Sequence, residues 1–271
     1  MANTYAASEL NTSVAKAYED TLVPGLMSPW AQTIVDHAHI RDGMRVLDVA
    51  CGTGVAARCA ARLSGPSGGV VGIDVDLGML AVAQAESKRE GLPVEYLHGS
   101  ACALPLDTAS FDAALCLQGL QYFPDALVAM RELRRILRPN SPLVAVTWST
   151  LESCKGQSAM VTALERRGID AAAARKPFSM ADSATLEALA VEAGLERVAV
   201  RRQTRLARFA SAASFVDAMR RGAPSTRIAL DQVPSAEWPG FVIEVERALA
   251  EWAGETHLEF PVECNVLVAH R

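Results

Sequence analysis

Residues 46–54 read VLDVACGTG, an apolar strand that runs directly into a turn of small residues. A helical stretch follows, and a second apolar strand, residues 69–73, then ends on Asp74. Together these segments form a strand–helix–strand unit. Glycines in the turn let backbone N–H groups approach a ligand, and an acid after the second strand can accept hydrogen bonds from both hydroxyls of a ribose. The stretch therefore predicts a site for a cofactor that contains adenosine.

Asp48 indicates which cofactor this is, because it places a carboxylate beside the turn. A diphosphate would be repelled there, whereas a sulfonium with an α-ammonium group would be attracted. We therefore expect S-adenosylmethionine (SAM). Residues 52–57 also fit the G-x-G-x-x-A pattern of NAD-dependent oxidoreductases, but no paired Tyr/Lys or His/Asp signature accompanies it. An NAD-dependent oxidoreductase is the weaker alternative.

Several motifs in order extend this pattern and make the chain similar to a known family. LDVACGTG and GVVGIDVDLGMLAVAQ are followed by GSACALP, SFD, QGLQYFPD and LRPN. These motifs resemble the class I SAM-dependent methyltransferases, in the ubiquinone/menaquinone-type (methyltransferase type 11) branch. The resemblance is strong over residues 40–150 and loose elsewhere. It implies a doubly wound α/β fold with a seven-stranded, mostly parallel sheet in the order 3-2-1-4-5-7-6 and an antiparallel last strand.

Apolar runs alternate with helical patterns from residue 44 onward, which is typical of a parallel sheet covered by helices. A helical repeat of apolar residues predicts that residues 125–137 cover the sheet. Asp182 begins a further helix, which Gly194 ends. The predicted strands are 44–49, 69–74, 94–98, 111–117, 142–148, 196–203 and 264–269, and the other predicted helices are 54–64 and 76–90.

We expect one domain over residues 1–271, with two additions. Residues 1–40 predict a helical cap over the cofactor, and residues 205–262 predict a helical insert between the last two strands, with helices near 211–222 and 235–253. The insert's aromatic residues favour a lid over the substrate pocket, although they could instead form the insert's own core. Residues 150–177 could supply a second wall.

The strand–helix–strand pattern alone predicts that Asp48, Gly52, Gly54 and Asp74 bind the cofactor. The resemblance to the family implies further cofactor-binding positions. Ala50 stands where many relatives carry the first glycine, and Ser100 stands where they usually carry an Asp that reads the adenine amino group. The added cofactor positions are Ala50, Val75, Met79, Ser100, Ala101, Gln118 and, more weakly, Tyr18 and Trp30.

The acceptor site is expected after the fourth and fifth strands. Gln121 replaces a histidine found in many relatives and cannot act as a base, while Tyr122 and Trp148 could line the pocket. No catalytic base is identified. We expect methyl transfer from SAM, which becomes S-adenosylhomocysteine (SAH), to an O, N or C atom of a small, fairly apolar molecule. A non-catalytic SAM-binding protein is the alternative.

The charge and composition of the chain limit the kinds of binding partner that we expect. A net charge of −5 among 271 residues offers no footprint for nucleic acid. The six cysteines form no C-x-x-C pair, and His37 and His39 are badly spaced for a metal, so no metal site is expected. No apolar run has transmembrane length, and the first ten residues do not resemble a signal peptide. These features predict a cytoplasmic protein; its oligomeric state is left open.

Overall fold

A sheet of seven strands organises the protein, which we describe over residues 12–271 from a computed structural model. The strand order is β3-β2-β1-β4-β5-β7-β6, and β7 is antiparallel to both of its neighbours. The predicted fold class and strand order are therefore confirmed. The strands are β1 (Arg45–Val49), β2 (Gly69–Asp74), β3 (Val94–His98), β4 (Ala113–Leu117), β5 (Pro142–Trp148), β6 (Glu196–Phe209) and β7 (Leu258–His270).

Helices cover both faces of this sheet. Alternate strand residues point to opposite faces, so Val46 and Leu47 belong to two separate apolar cores. The helices are α1 (Ser13–Ala17), α2 (Ser28–His37), α3 (Val55–Ser64), α4 (Leu77–Arg89), α5 (Ala126–Ile136), α6 (Lys155–Arg166), α7 (Ala172–Arg175), α8 (Ser183–Glu192), α9 (Ala212–Gly222), α10 (Pro224–Leu230) and α11 (Trp238–Ala248).

The central strands are apolar along their whole length because helices cover them on both sides. Every residue of β4 is buried, and α5 packs a stripe of Met130, Leu133 and Ile136 against one face. Within residues 12–271, no helix is both long and apolar enough to cross a membrane.

The last two strands are longer than predicted. β6 continues to Phe209 and β7 begins at Leu258, so residues 205–209 and 258–262 are paired strand rather than helical insert. In this extension, Ala207, Phe209 and Phe260 are buried against the helices, which stabilises a two-stranded ribbon beyond the end of β5. The insert consequently spans residues 210–257. It contains α10, which was not predicted, and α11 is shorter than the helical pattern over 235–253.

The described part of the proposed N-terminal cap, residues 12–40, is largely helical, and residues 1–11 of that prediction lie outside the described range. Residues Tyr18–Met27 form a wider π-helical stretch between α1 and α2. Pro24 lies within it and lacks the N–H group that a regular helix would use. Gly25 allows close approach to β6, since a Cβ added there would lie 2.7 Å from the Phe209 ring.

Candidate active site

A cavity of about 710 Å³ opens at the carboxyl ends of β1, β2, β4 and β5. Ligands of open α/β sheets bind at this edge. The sheet edge forms one side of the cavity, and helices from three other parts of the chain form the rest. The covering residues include Tyr18, Leu22, Leu26 and Met27 from the N-terminal segment, Gln157, Ala173, Lys176, Pro177 and Phe178 from residues 150–178, and Met219, Ala223, Pro224, Ser225, Thr226 and Ile228 from the insert.

The loop after β1 adopts a left-handed backbone at several positions. Ala50 has φ +53°, Gly52 has φ +53° and Gly54 has φ +83°. A left-handed conformation costs a residue with a side chain roughly 1–2 kcal/mol, so Ala50 is strained where glycine would not be. Ala50 and Gly52 line the cavity, but Gly54 does not. A Cβ at Gly54 would collide with the Tyr96 hydroxyl, so this glycine permits close packing of α3 on the sheet.

Asp48 is buried beneath this loop. Its Oδ2 accepts a hydrogen bond from the Ala57 N–H group at 2.9 Å, so it orients the first turn of α3 rather than a glycine amide. Its Oδ1 has no partner among the described residues. Burial raises the pKa of Asp48 to about 7, which the Ala57 hydrogen bond only partly counteracts. A cationic group nearby would favour the ionised form.

Asp74 fastens the loop to the end of β2. Its Oδ2 accepts from the Gly52 N–H group at 2.8 Å and its Oδ1 from the Asp76 N–H group at 2.9 Å. Burial raises the pKa of Asp74, and these two hydrogen bonds oppose the rise. Asp76, not Asp74, caps α4 by accepting from the Gly78 and Met79 N–H groups. Asp74 is therefore free of a helix-capping role and faces the cavity.

Other predicted cofactor positions surround this acidic end. Val75 is exposed at the rim and Met79 is half-buried, and both line the cavity. Ser100 and Ala101 line it from the segment after β3. The Ser100 hydroxyl accepts from the Cys102 N–H group at 3.2 Å, which is a local turn contact. The lining residues Cys51, Val55 and Gly99 were missed by the sequence reasoning, although each adjoins a predicted position.

Gln118 also has a left-handed backbone, with φ +57°, and its side chain is held at both ends. Its Oε1 accepts from the Trp148 N–H group at 3.1 Å and from Gln121 Nε2 at 2.9 Å. Its Nε2 donates to Cys264 Sγ at 3.3 Å. Gln118 thus ties the ends of β4 and β5 to the middle of β7 while lining the cavity. Gln121 is buried behind it and does not line the cavity, contrary to the predicted pocket role.

The predicted aromatic residues divide into lining and packing roles. Tyr18, Tyr122 and Trp148 line the cavity, and the Tyr122 hydroxyl lies 3.5 Å from Ser225 Oγ. Burial raises the pKa of Tyr18, so its phenol stays neutral. Trp30, on α2, is fully buried in the core and does not line the cavity.

The insert's aromatic residues pack among themselves and on the ribbon. Phe215 lies 5.1 Å from Phe209 and 4.9 Å from Phe260 between ring centroids, and Trp238 stacks on Phe241 at 5.6 Å. None of them lines the cavity. Smaller and aliphatic side chains of α9 and α10 do so instead, and no motif marked them because they belong to ordinary amphipathic helices.

Charge is distributed unevenly around the cavity. Asp48, Asp74 and Asp76 lie at the cofactor end, and Lys176 lines the wall formed by residues 150–178. Among residues 12–271, no histidine lines the cavity. The described lining therefore offers carboxylates for a cationic nucleoside and an apolar chamber for a second molecule, without an evident general base.

Comparison with known proteins shows which families have a similar sequence. Residues 46–140 match the family model described as a methyltransferase domain. The chain is 35% identical over 142 residues to the ubiquinone/menaquinone biosynthesis C-methyltransferase UbiE of Hahella chejuensis, covering 51% of this chain and 57% of that protein. The chain thus spans about half the length of the curated relatives it matches.

Solved structures share the fold. The phosphoethanolamine N-methyltransferase 2 of Haemonchus contortus has a TM-score of 0.61 at 19% identity, over 97% of this chain and 58% of that chain. The cyclase SpnF has a TM-score of 0.54 at 19% identity, over 90% of this chain and 80% of that chain. These likenesses extend to the strands and helices around the sheet. The family model over residues 46–140 and the curated relatives confirm the predicted resemblance to the class I SAM-dependent methyltransferases of the ubiquinone/menaquinone type, and the solved structures share the fold.

Proposed function

We propose that this protein binds SAM at the carboxyl edge of the sheet and catalyses transfer of its methyl group to a small, fairly apolar acceptor. One observation carries the proposal. A single cavity joins the acidic, glycine-containing end at Asp48, Gly52 and Asp74 to an apolar end covered by the N-terminal segment and the insert. Cofactor and acceptor could therefore meet out of contact with bulk water.

The residues at the sheet edge fit SAM. Apart from Gly52 and its two chain neighbours, no residue has an atom within 4 Å of a Cβ built on Gly52, so there is open space for a ligand against the loop backbone. Asp74 uses one acceptor site on each carboxylate oxygen and retains others for ribose hydroxyls. The unpartnered Oδ1 of buried Asp48 would be compensated by the electrostatic attraction of a cationic ligand. Met79 and Ala101 would contact the adenine.

The protein's part in catalysis would be positional. When bound, SAM supplies an electrophilic methyl group that reacts by in-line displacement. The chain must then hold the acceptor atom about 3 Å from that methyl group and exclude water, which can account for most of the rate. Gln118 fixes the junction of the two chamber ends, while Tyr122 and Trp148 border the acceptor. With no histidine in the described lining, the acceptor would arrive already nucleophilic, as an ionised phenol, an enol-like carbon or a free amine.

The proposed acceptor is a small aromatic molecule of the quinol type rather than a nucleic acid. The relatives named for ubiquinone and menaquinone synthesis support this choice, and so does the apolar lining formed by Leu22, Leu26, Phe178 and Met219. The net charge of −5 does not favour a polyanion. The structure supports a lid role for residues 210–257 through the α9 and α10 side chains that cover the chamber.

A non-catalytic SAM-binding protein is the second candidate, favoured by the lack of an evident base. Incubation of the full chain with methyl-labelled SAM and a panel of quinols, phenols and amines would separate the two. We expect label transfer to a quinol or phenol, and loss of transfer in Asp74→Ala. SAM binding in calorimetry without label transfer to any member of the panel would favour the binding protein.

A further inference from the structure

Gln157, on α6, is a buried amide whose hydrogen-bonding capacity is unused. It is 5% exposed and lines the cavity, and its Oε1 has no partner. Among residues 12–271, two comparable buried amides, Gln121 and Asn265, also have a side-chain oxygen without a partner, but neither lines the cavity and both use their NH₂ groups. Gln121 donates to Gln118 Oε1 at 2.9 Å, and Asn265 donates to the Ala181 carbonyl at 2.9 Å. Within residues 12–271, the Gln157 NH₂ group has no such acceptor.

Thr226, on α10, presents a similar unused group. It is 4% exposed and lines the same cavity, and no described residue hydrogen-bonds to its hydroxyl. The buried threonines Thr33 and Thr147 instead donate to the Pro29 and Met180 carbonyls, at 2.8 Å and 3.3 Å. These two threonine hydroxyls are thus used, whereas the Thr226 hydroxyl is not. The buried Thr53 hydroxyl also lacks a hydrogen bond, but Thr53 does not line the cavity.

Such unused groups are costly in an apolar environment. A buried polar group without a partner costs about 1–3 kcal/mol, and native proteins rarely retain one without a reason. The surrounding chamber wall is apolar, formed in part by Leu26, Phe178 and Met219. Gln157 and Thr226 come from the covering helices rather than from the sheet edge, where the predicted SAM residues lie. Their natural partner is therefore the acceptor.

We propose that Gln157 and Thr226 bind an oxygen atom of the methyl acceptor and so determine its specificity. The Gln157 amide accepts through Oε1 and donates through its NH₂ group, and the Thr226 hydroxyl can do both, so the matching group is an oxygen on an apolar body, such as a phenolic hydroxyl. An unsubstituted hydrocarbon would leave both side chains unpaired and bind more weakly. This inference rests on the proposed function, because it assigns the apolar end of the cavity to the acceptor.

Calorimetry on the full chain loaded with SAH tests the inference without requiring turnover. The probes are 1-naphthol and 1-methylnaphthalene, which have similar shapes and differ in the oxygen. The wild-type protein should bind 1-naphthol about 10-fold more tightly, as expected for one to two hydrogen bonds. Gln157→Met should reduce this preference to about threefold or less, chiefly by weakening 1-naphthol binding. Thr226→Val should reduce it in the same direction.

Thr162→Val is the matched control, because Thr162 lies exposed on the outer side of α6 and does not line the cavity. It should leave the preference for 1-naphthol unchanged, and SAH affinity should be the same in all variants. The inference is overturned if the wild-type protein does not prefer 1-naphthol or binds neither probe, or if both cavity variants keep the full preference. If the protein prefers 1-naphthol but transfers methyl to no acceptor, the oxygen site is supported and the catalytic proposal is wrong. If it transfers methyl and neither substitution changes that transfer, the catalytic proposal is supported and the oxygen site is wrong.

Discussion

Replacing Arg58 by methionine should destabilise the protein by about 3 kcal/mol, a large effect for one helix residue. The Arg58 side chain is 5% exposed and joins three segments at the cofactor end. Its Nη2 lies 2.5 Å from Glu19 Oε1 on the N-terminal segment, and its Nε lies 3.2 Å from Glu90 Oε1 after α4. Its Nη1 donates to the Thr53 carbonyl of the glycine loop at 2.6 Å.

The magnitude follows from what each partner loses. Removing one member of a buried ion pair costs about 3–5 kcal/mol, because the remaining charge is left unpaired. Glu90 has a side chain that is 20% exposed and keeps Arg62 and Arg89 as partners, so it is largely compensated. Glu19 is only 10% exposed and has no other ion pair among residues 12–271. Methionine would retain part of the packing of the arginine stem, which places the estimate at the lower end of the range.

Urea unfolding at pH 7.5 measures this loss, and Arg62→Met provides the matched control. Arg62 pairs with the same Glu90, but its side chain is 51% exposed, and exposed ion pairs contribute only about 0.2–1 kcal/mol. If the two variants lost equal stability, or if Arg58→Met lost under about 1 kcal/mol, the assignment of a buried three-way link would be wrong.

The deficit should also depend on pH in a defined direction. Burial already raises the pKa of Glu19, and Arg58 counteracts part of that rise. Without Arg58 the pKa of Glu19 rises further, so the variant gains stability relative to wild type as pH falls and Glu19 becomes protonated. The difference between the proteins should therefore be smaller at pH 5 than at pH 8. A deficit that did not change with pH would indicate lost packing instead of lost charge pairing.

Three further changes test the cofactor end. Asp74→Ala should weaken SAM binding by about 2 kcal/mol in calorimetry through lost hydrogen bonds to a charged acceptor, and an unchanged dissociation constant would remove Asp74 from the site. Burial raises the pKa of Asp48 to about 7, so SAM should bind more tightly at pH 8 than at pH 6, whereas Asp48→Asn should bind weakly with little pH dependence. Because the pKa of Asp48 is higher in the ligand-free fold than in the unfolded chain, the folded protein holds a proton that the unfolded chain has lost between about pH 4 and pH 7. The free energy of unfolding therefore falls as pH rises through this range, and Asp48→Asn should remove that fall in thermal unfolding. Ala50→Gly should keep the fold and raise stability by up to about 1 kcal/mol, because it relieves a left-handed alanine at φ +53°; a loss of stability would show that the Ala50 side chain contributes more packing than strain.

The parallel part of the sheet was predictable because its signals are local. Buried parallel strands are continuous apolar runs, and the runs ending at Val49, Asp74 and Trp148 match the observed strands closely. The ribbon formed by the ends of β6 and β7 was not predicted, because residues 204–209 contain two arginines among the apolar residues and show no strict alternation. Ala207 and Phe209 are buried by helices that are distant in sequence, whereas Leu206 is exposed. Phe209 gains its environment from Phe215, which lies on α9.

The residues of the candidate site also differ in how far the sequence predicted them. Asp48, Gly52 and Asp74 were found because a turn between strand and helix needs particular residues at fixed spacing, and each of them lines the cavity. Gln121 was assigned to the pocket from its neighbourhood in sequence, but a short helical turn after β4 directs its amide back onto Gln118. Position along the chain indicated the correct region, and only the hydrogen bonds distinguished a lining residue from a supporting one.

The helices that cover the cavity need only an apolar stripe that faces inward, which explains why their cavity-lining residues belong to no sequence motif. A helix contributes to a chamber wall whenever an apolar stripe faces inward, and many side chains satisfy that requirement equally well. The sheet edge, by contrast, must supply backbone amides and carboxylates at positions set by the strands. A chain can therefore change Gln157, Thr226 or Met219 and alter the acceptor without disturbing the cofactor end. If these helices determine the acceptor, exchanging Gln157 and Thr226 together for apolar residues of similar size should shift preference towards hydrocarbons while SAM affinity stays the same.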